Sequence, residues 1–98
     1  MVKIVWTKRS LMDLEDIADY ISKDSPKFAK ITLENLIDSA SIIESNPHLG
    51  RIVPEFHDSN IREIIKGNYR IIYLLQSDFA VSILTVFHSA RLLTKEKI

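Results

Sequence analysis

Cysteine is absent from this 98-residue chain. Its absence excludes a disulfide framework, a thiolate metal site and a cysteine nucleophile. Glycine occurs twice and proline three times, and no internal repeat or low-complexity segment is present. Charge of one sign is also missing. Thirteen Lys/Arg balance thirteen Asp/Glu, which counts against a dominant phosphate-binding role, because such a role rests on an excess of cations. Long apolar runs are lacking too. Ile71-Ile-Tyr-Leu-Leu75 and Ile83-Leu-Thr-Val-Phe87 fall far short of the roughly 20 residues that a membrane span needs. The opening residues, MVKIVWTKRS, hold no apolar stretch suited to a signal peptide. These absences together predict a soluble, cytoplasmic protein. The three histidines, His48, His57 and His88, form no close pair at metal-ligand spacing, so neither a zinc site nor a cofactor is expected.

Hydrophobic residues make up 46% and charged residues 27% of the sequence, the balance of an ordinary globular domain. The length fits one domain over residues 1–98. A chain this short buries only about 60–65% of its unfolded surface, so stability alone is modest and a bound partner adds to it by mass action. The charge is split slightly. Residues 1–45 hold six Lys/Arg and eight Asp/Glu, and residues 46–98 hold seven and five.

Val2–Trp6 is a short β-rich run and predicts a first strand. Thr7 suits the cap of a following helix, in which Leu11, Leu14, Ile17, Ala18 and Ile21 recur at helical spacing opposite Asp13, Glu15, Asp16 and Asp19. Asp24-Ser25-Pro26 interrupts and restarts the pattern, with Ser25 as N-cap and Pro26 at the first helical position. Ala29, Leu33, Leu36, Ile37, Ala40 and Ile43 form the second stripe, and Asn46-Pro47 ends it. The short break predicts a helical hairpin. His48 to Asn60 reads as an irregular polar loop. Three strand signals follow: Ile61–Lys66, Tyr69–Gln76 after the turn Gly67-Asn68, and Ala80–His88 after Ser77-Asp78-Phe79. Both connections suit hairpins. The tail from Ser89 is polar and basic after Leu93. The expected fold is therefore α+β, in the order β-α-α-β-β-β, with the helical hairpin packed on one face of an antiparallel four-stranded sheet and the other face left for solvent or for function.

Arg70 is the most informative residue, because it interrupts an apolar run. A buried guanidinium needs water, a carboxylate or a ligand. Two placements satisfy it: a structural pair with Glu63 on the neighbouring strand, or a ligand on an open face. If Ser77-Asp78-Phe79 forms a three-residue loop, Gln76 pairs with Ala80 and Arg70 lies opposite Val86. His88 is then its diagonal neighbour on the same face, about 7–8 Å away between Cα atoms. With Glu55 converging on that face, the three residues have the chemistry to cleave RNA: a carboxylate base for the 2′-hydroxyl, a cation for the phosphorane and an imidazole acid for the leaving oxygen. The alternative for Glu55 is a solvated loop carboxylate, and for His88 a surface residue. Arg51, Arg62, Lys66 and Arg91 could widen a basic, target-binding surface. Trp6, Tyr69, Tyr73 and Phe87 could stack bases, although strand aromatics more often belong to the core.

The segments in order resemble a known family. Trp6-Thr-Lys-Arg-Ser-Leu-Met-Asp-Leu-Glu-Asp-Ile17 is similar to the first strand and helix of RelE/ParE toxins. Ser45-Asn-Pro-His-Leu-Gly-Arg51 resembles their helix-ending proline and Gly-Arg turn. Pro54-Glu55, Arg62-Glu63, Tyr69-Arg-Ile-Ile-Tyr73 and Val86-Phe-His-Ser-Ala-Arg91 resemble the remaining blocks. The resemblance implies the growth-arresting toxin of a type II toxin–antitoxin module of the plasmid-stabilisation type. A co-encoded antitoxin would neutralise it in a hetero-oligomer, and contact with operator DNA would come only through that antitoxin. Two mechanisms divide the superfamily. ParE-like members poison DNA gyrase, and the Val86, His88, Arg91 spacing occurs commonly among them. RelE- and YoeB-like members cleave mRNA on the ribosome, and Glu55, Arg70 and His88 match the YoeB-like roles by motif position, although Ser89 stands where a terminal tyrosine usually follows the histidine. The neutral charge favours a protein target, so the expectation leans to gyrase. An attenuated member that only binds its antitoxin and regulates its operon is the third reading.

Overall fold

The structure is a computed structural model, and it describes residues 1–89. The chain runs β1 (Lys3–Trp6), α1 (Lys8–Ser22), α2 (Pro26–Ser41), a 3₁₀ turn (Ile42–Glu44), β2 (Arg51–Ile52), β3 (Ile61–Lys66), β4 (Tyr69–Leu75) and β5 (Ala80–His88). Both helix starts follow from their caps. The Thr7 hydroxyl accepts from the Ser10 amide at 3.1 Å and donates to the Ile83 carbonyl at 2.7 Å, so one side chain starts α1 and ties it to β5. The Ser25 hydroxyl accepts from the Phe28 amide, with Pro26 next to it at the helix start.

The two helices lie on one face of the sheet, as the apolar stripes predict. Leu14, Leu36, Ala40 and Ile43 meet Ile71, Tyr73, Val81, Ile83 and Val86 there. Leu36 and Ile43 are almost wholly buried, and each contributes roughly 1.5–3 kcal/mol by leaving water. Ile37 departs from the expected stripe. It is 44% exposed, because it sits to one side of the line through Ala29, Leu36 and Ala40.

The sheet corrects the four-stranded antiparallel expectation. It has five strands in the order β1-β5-β4-β3-β2 and is mixed. β1 runs parallel to β5, from Lys3 opposite Ala80 to Trp6 opposite Ile83, while the other pairs are antiparallel. The extra strand comes from the segment expected to be an irregular loop: Arg51 pairs with Glu63 and Ile52 with Arg62. The segment after it also covers part of the far face, which is therefore not wholly open. Val53 and Phe56 fold over Ile72 and Phe87 as a second small core. At the turn between β3 and β4, Gly67 takes a φ of 59°, which suits glycine at the head of a two-residue hairpin loop.

Among the described residues no helix is long and apolar enough to cross a membrane. The expectations placed on residues 90–98, including Arg91 and the basic tail, lie outside the described residues.

Candidate functional site

Arg70 belongs to the face away from the helices, because Ile71 and Tyr73 on either side of Ile72 point into the helix-side core. Its neighbours on that face come from two places. Glu63 stands on β3 opposite Ile72, and Glu55 is carried by the segment that folds over the sheet. The Arg70 Nε donates to Glu63 Oε1, while Nη1 and Nη2 donate to Glu55 at 2.7 and 2.9 Å. The second oxygen of Glu63 accepts from Arg51 Nε. The result is a chain of alternating charge, Arg51–Glu63–Arg70–Glu55. The two inner members are almost fully buried, and the outer ends reach water. Below the guanidinium lies the Phe87 ring, 5.3 Å from its centre.

The electrostatics follow from that geometry. The Glu55 carboxyl is held below its ordinary range, mainly by its hydrogen bonds to Arg70, with partial burial opposing. The Arg70 guanidinium is held more firmly protonated by Glu55 and then by Glu63, against the burial that disfavours its charge. Within this chain of residues the fork of Arg70 is committed to carboxylates, so its charge is spent inside the protein.

The structural pair with Glu63 is therefore formed. Glu55 is also brought to Arg70, as the cleavage geometry required. His88 is not. The loop Ser77-Asp78-Phe79 does have three residues, since the Gln76 amide donates to the Ala80 carbonyl and Leu75 stands opposite Val81. Further along, a β-bulge intervenes. Tyr73 faces Ile83, but Ile72 faces Thr85, which leaves Leu84 without an opposite number. One extra residue reverses the alternation. Arg70 consequently lies opposite Phe87 rather than Val86, and His88 lies opposite Tyr69 on the helix-side face. The His88 and Tyr69 rings meet edge to face at 5.7 Å. Both line a cleft of about 460 Å³ beside α1, together with Asp16, Ile17 and Tyr20.

The other basic candidates separate as well. Arg62 spends its guanidinium on the Ser59, His48 and Gly50 carbonyls. Arg51 is paired with Glu63, and Lys66 is exposed at the end of β3. Of the aromatics, Tyr73 and Phe87 are buried and Trp6 is half-buried against the helix-side core, while the half-buried Tyr69 lines the cleft beside α1.

A residue pair outside the predicted site holds its frame. The buried Tyr73 hydroxyl donates to the Pro47 carbonyl at 2.7 Å and accepts from the Gly50 amide at 2.9 Å. Burial pushes this phenol above its ordinary value. Gly50 packs so closely here that an added Cβ would lie 2.6 Å from both the Glu63 carbonyl oxygen and the Tyr73 hydroxyl. The Gly-Arg turn thus needs glycine to bring Arg51 alongside Glu63.

Residues 4–93 match the family described as the ParE toxin of the type II toxin–antitoxin system ParDE. The chain belongs to the ParE toxin family. It is 33% identical over 92 residues to Toxin RelE2 of Caulobacter vibrioides, a span that covers 94% of this chain and all of that protein. The fold is shared with two solved structures. One is the chromosomal ParDE toxin–antitoxin system from P. aeruginosa, with a TM-score of 0.73 and 16% identity over 90% of this chain and 96% of that one. The other is the toxin–antitoxin complex RelBE2 from Mycobacterium tuberculosis, with a TM-score of 0.56 and 20% identity over 89% and 96%. This ParE-family chain is thus a RelE/ParE superfamily toxin in sequence, and two helices on a mixed five-stranded sheet is its fold.

Proposed function

We propose that this toxin arrests growth by poisoning DNA gyrase and that a co-encoded antitoxin neutralises it. One observation carries the choice of target. The acid–base set that mRNA cleavage would need is divided, with Glu55 and Arg70 on one face of the sheet and His88 on the other. General acid catalysis requires the imidazole within hydrogen-bond reach of the leaving oxygen, and the intact sheet stands between. The neutral total charge adds support, since a ribosome presents a dense phosphate surface whose attraction rises with cationic excess.

The antitoxin has candidate surfaces. Phe28, Ile31 and Ile42 expose 65%, 40% and 53% of their surface along one side of α2 and its 3₁₀ extension. They lie three and eleven residues apart, close to whole helical turns, which suits contact with the apolar face of a partner helix. The outer edge of β1 suits an extended segment. The complex is expected to be a hetero-oligomer that meets operator DNA through the antitoxin. For the target, Lys66 and Arg91 are the cations proposed to make contact. Arg51 adds to them from its exposed end, whereas Arg62 serves its own loop.

The contact between Glu55 and Arg70 favours a second reading, ribosome-dependent mRNA cleavage, in which these two residues act with His88. A third, an attenuated regulator of its own operon, requires only the antitoxin. A direct assay separates them. Purified toxin, gyrase, ATP and plasmid should yield linear DNA that persists after protein denaturation. Intact plasmid, with mRNA cut at codon positions on ribosomes, would replace the gyrase reading with the nuclease one.

A further inference from the structure

We propose that Asp13 is a positioning residue that locks the register of β5 and so decides which face of the sheet carries His88. The inference goes beyond the choice of target and does not depend on it. Asp13 stands on α1 with its side chain reaching β5, although 72 residues separate it from Thr85. One oxygen, Oδ2, accepts from the Thr85 hydroxyl and from the Val86 amide at 3.0 Å. The other pairs with Arg9 one helical turn back at 3.3 Å. These two strand donors lie immediately after the residue that the bulge leaves over, Leu84.

A bulge disrupts the ladder locally and leaves strand groups in need of partners. In a sheet covered by a helix, a buried amide without a partner is costly. Asp13 supplies that partner, with a charge-assisted bond of the stronger kind. The alternative register is well defined. Continued from the pair Tyr73–Ile83 without a bulge, the ladder would set Ile72 opposite Leu84, Ile71 opposite Thr85, Arg70 opposite Val86 and Tyr69 opposite Phe87. His88 would then join Arg70 and Glu55 on the far face. Val86 and Phe87 would exchange faces, which is one apolar residue for another, so hydrophobic patterning discriminates weakly between the two registers. In the bulged register the Asp13 carboxylate takes up the Val86 amide beside the Thr85 hydroxyl, and this amide contact is what favours it.

Cross-strand NMR contacts in the full chain test this directly. The native protein should show backbone NOEs joining Ile71 with Val86 and Tyr69 with His88, together with ring contacts between Tyr69 and His88. In Asp13→Ala these should be lost in favour of contacts joining Arg70 with Val86 and Tyr69 with Phe87. Asp13→Asn, which keeps an acceptor oxygen, should restore the native set. Retention of the Ile71–Val86 and Tyr69–His88 contacts in Asp13→Ala would overturn the proposal. If Asp13→Ala does not fold, exchange of the Val86 amide in Asp13→Asn decides. It should be faster by about tenfold, since a neutral acceptor replaces a charged one, and an unchanged rate would overturn the proposal. Neither readout involves gyrase or mRNA, so failure here is distinguishable from failure of the target assignment.

Discussion

Arg70 and His88 point to opposite faces of the same sheet, one opposite Phe87 and the other opposite Tyr69. A catalytic pair cannot work through a hydrogen-bonded sheet. His88→Ala is therefore expected to leave growth arrest within about twofold of the parent, scored as colony survival after induction at matched protein levels. On the nuclease reading the same change removes the general acid, which contributes typically 10²–10⁴-fold, and survival should then be restored.

Glu63 is the buried centre of the ion chain, and each of its oxygens takes one arginine. Its removal leaves Arg70 in a covered position with half of its partners. Glu63→Ala should lose about 3–5 kcal/mol in urea unfolding, as expected when one member of a buried pair is deleted. Arg51→Ala, whose side chain is 60% exposed, should lose no more than about 1 kcal/mol.

The Gly50–Tyr73 contact makes a sharper structural prediction. Tyr73→Phe leaves the Pro47 carbonyl and the Gly50 amide without their partner, which costs about 1–3 kcal/mol. Gly50→Ala forces a Cβ against backbone, so the chain must shift and carry Arg51 off Glu63. Unfolding midpoints should fall for both variants. Only Gly50→Ala should also make the stability insensitive to a further Arg51→Ala change.

Glu55 supplies the acid dependence. Its carboxyl titrates below the ordinary value of 4.5 because Arg70 holds the charged form. The folded state therefore binds fewer protons than the unfolded one in this range, and the stabilisation is complete above pH 4.5 and drains away as pH falls through the folded value. Glu55→Gln should flatten that acid limb in a pH series of thermal midpoints while leaving the slope above pH 6 unchanged.

The legible parts of this protein are those encoded locally. Thr7, Ser25 and Pro26 announce the helix starts, and Gly67 the first hairpin. The stripe from Leu14 to Ile43 names the helices' share of the helix-side core. The pairing of Arg70 with Glu63 was also readable, since a guanidinium in an apolar run needs a carboxylate nearby. Non-local features were not. Nothing in Lys3–Trp6 specifies a parallel partner 77 residues on, and two residues, Arg51 and Ile52, are too few to signal a strand. The bulge was invisible because its cause, Asp13, reads as one acidic residue among several on the polar side of a helix. The three-residue loop Ser77-Asp78-Phe79 is legible, and yet His88 does not join Arg70, because register depends on every residue between the loop and the site.

We propose that this toxin acts on DNA topology rather than on translation. Pulse incorporation of labelled thymidine and labelled methionine, followed from the moment of induction in cells lacking the antitoxin, tests it most directly. Thymidine incorporation should fall first, while methionine incorporation continues near its starting rate. An immediate collapse of methionine incorporation with DNA synthesis still running would contradict the account.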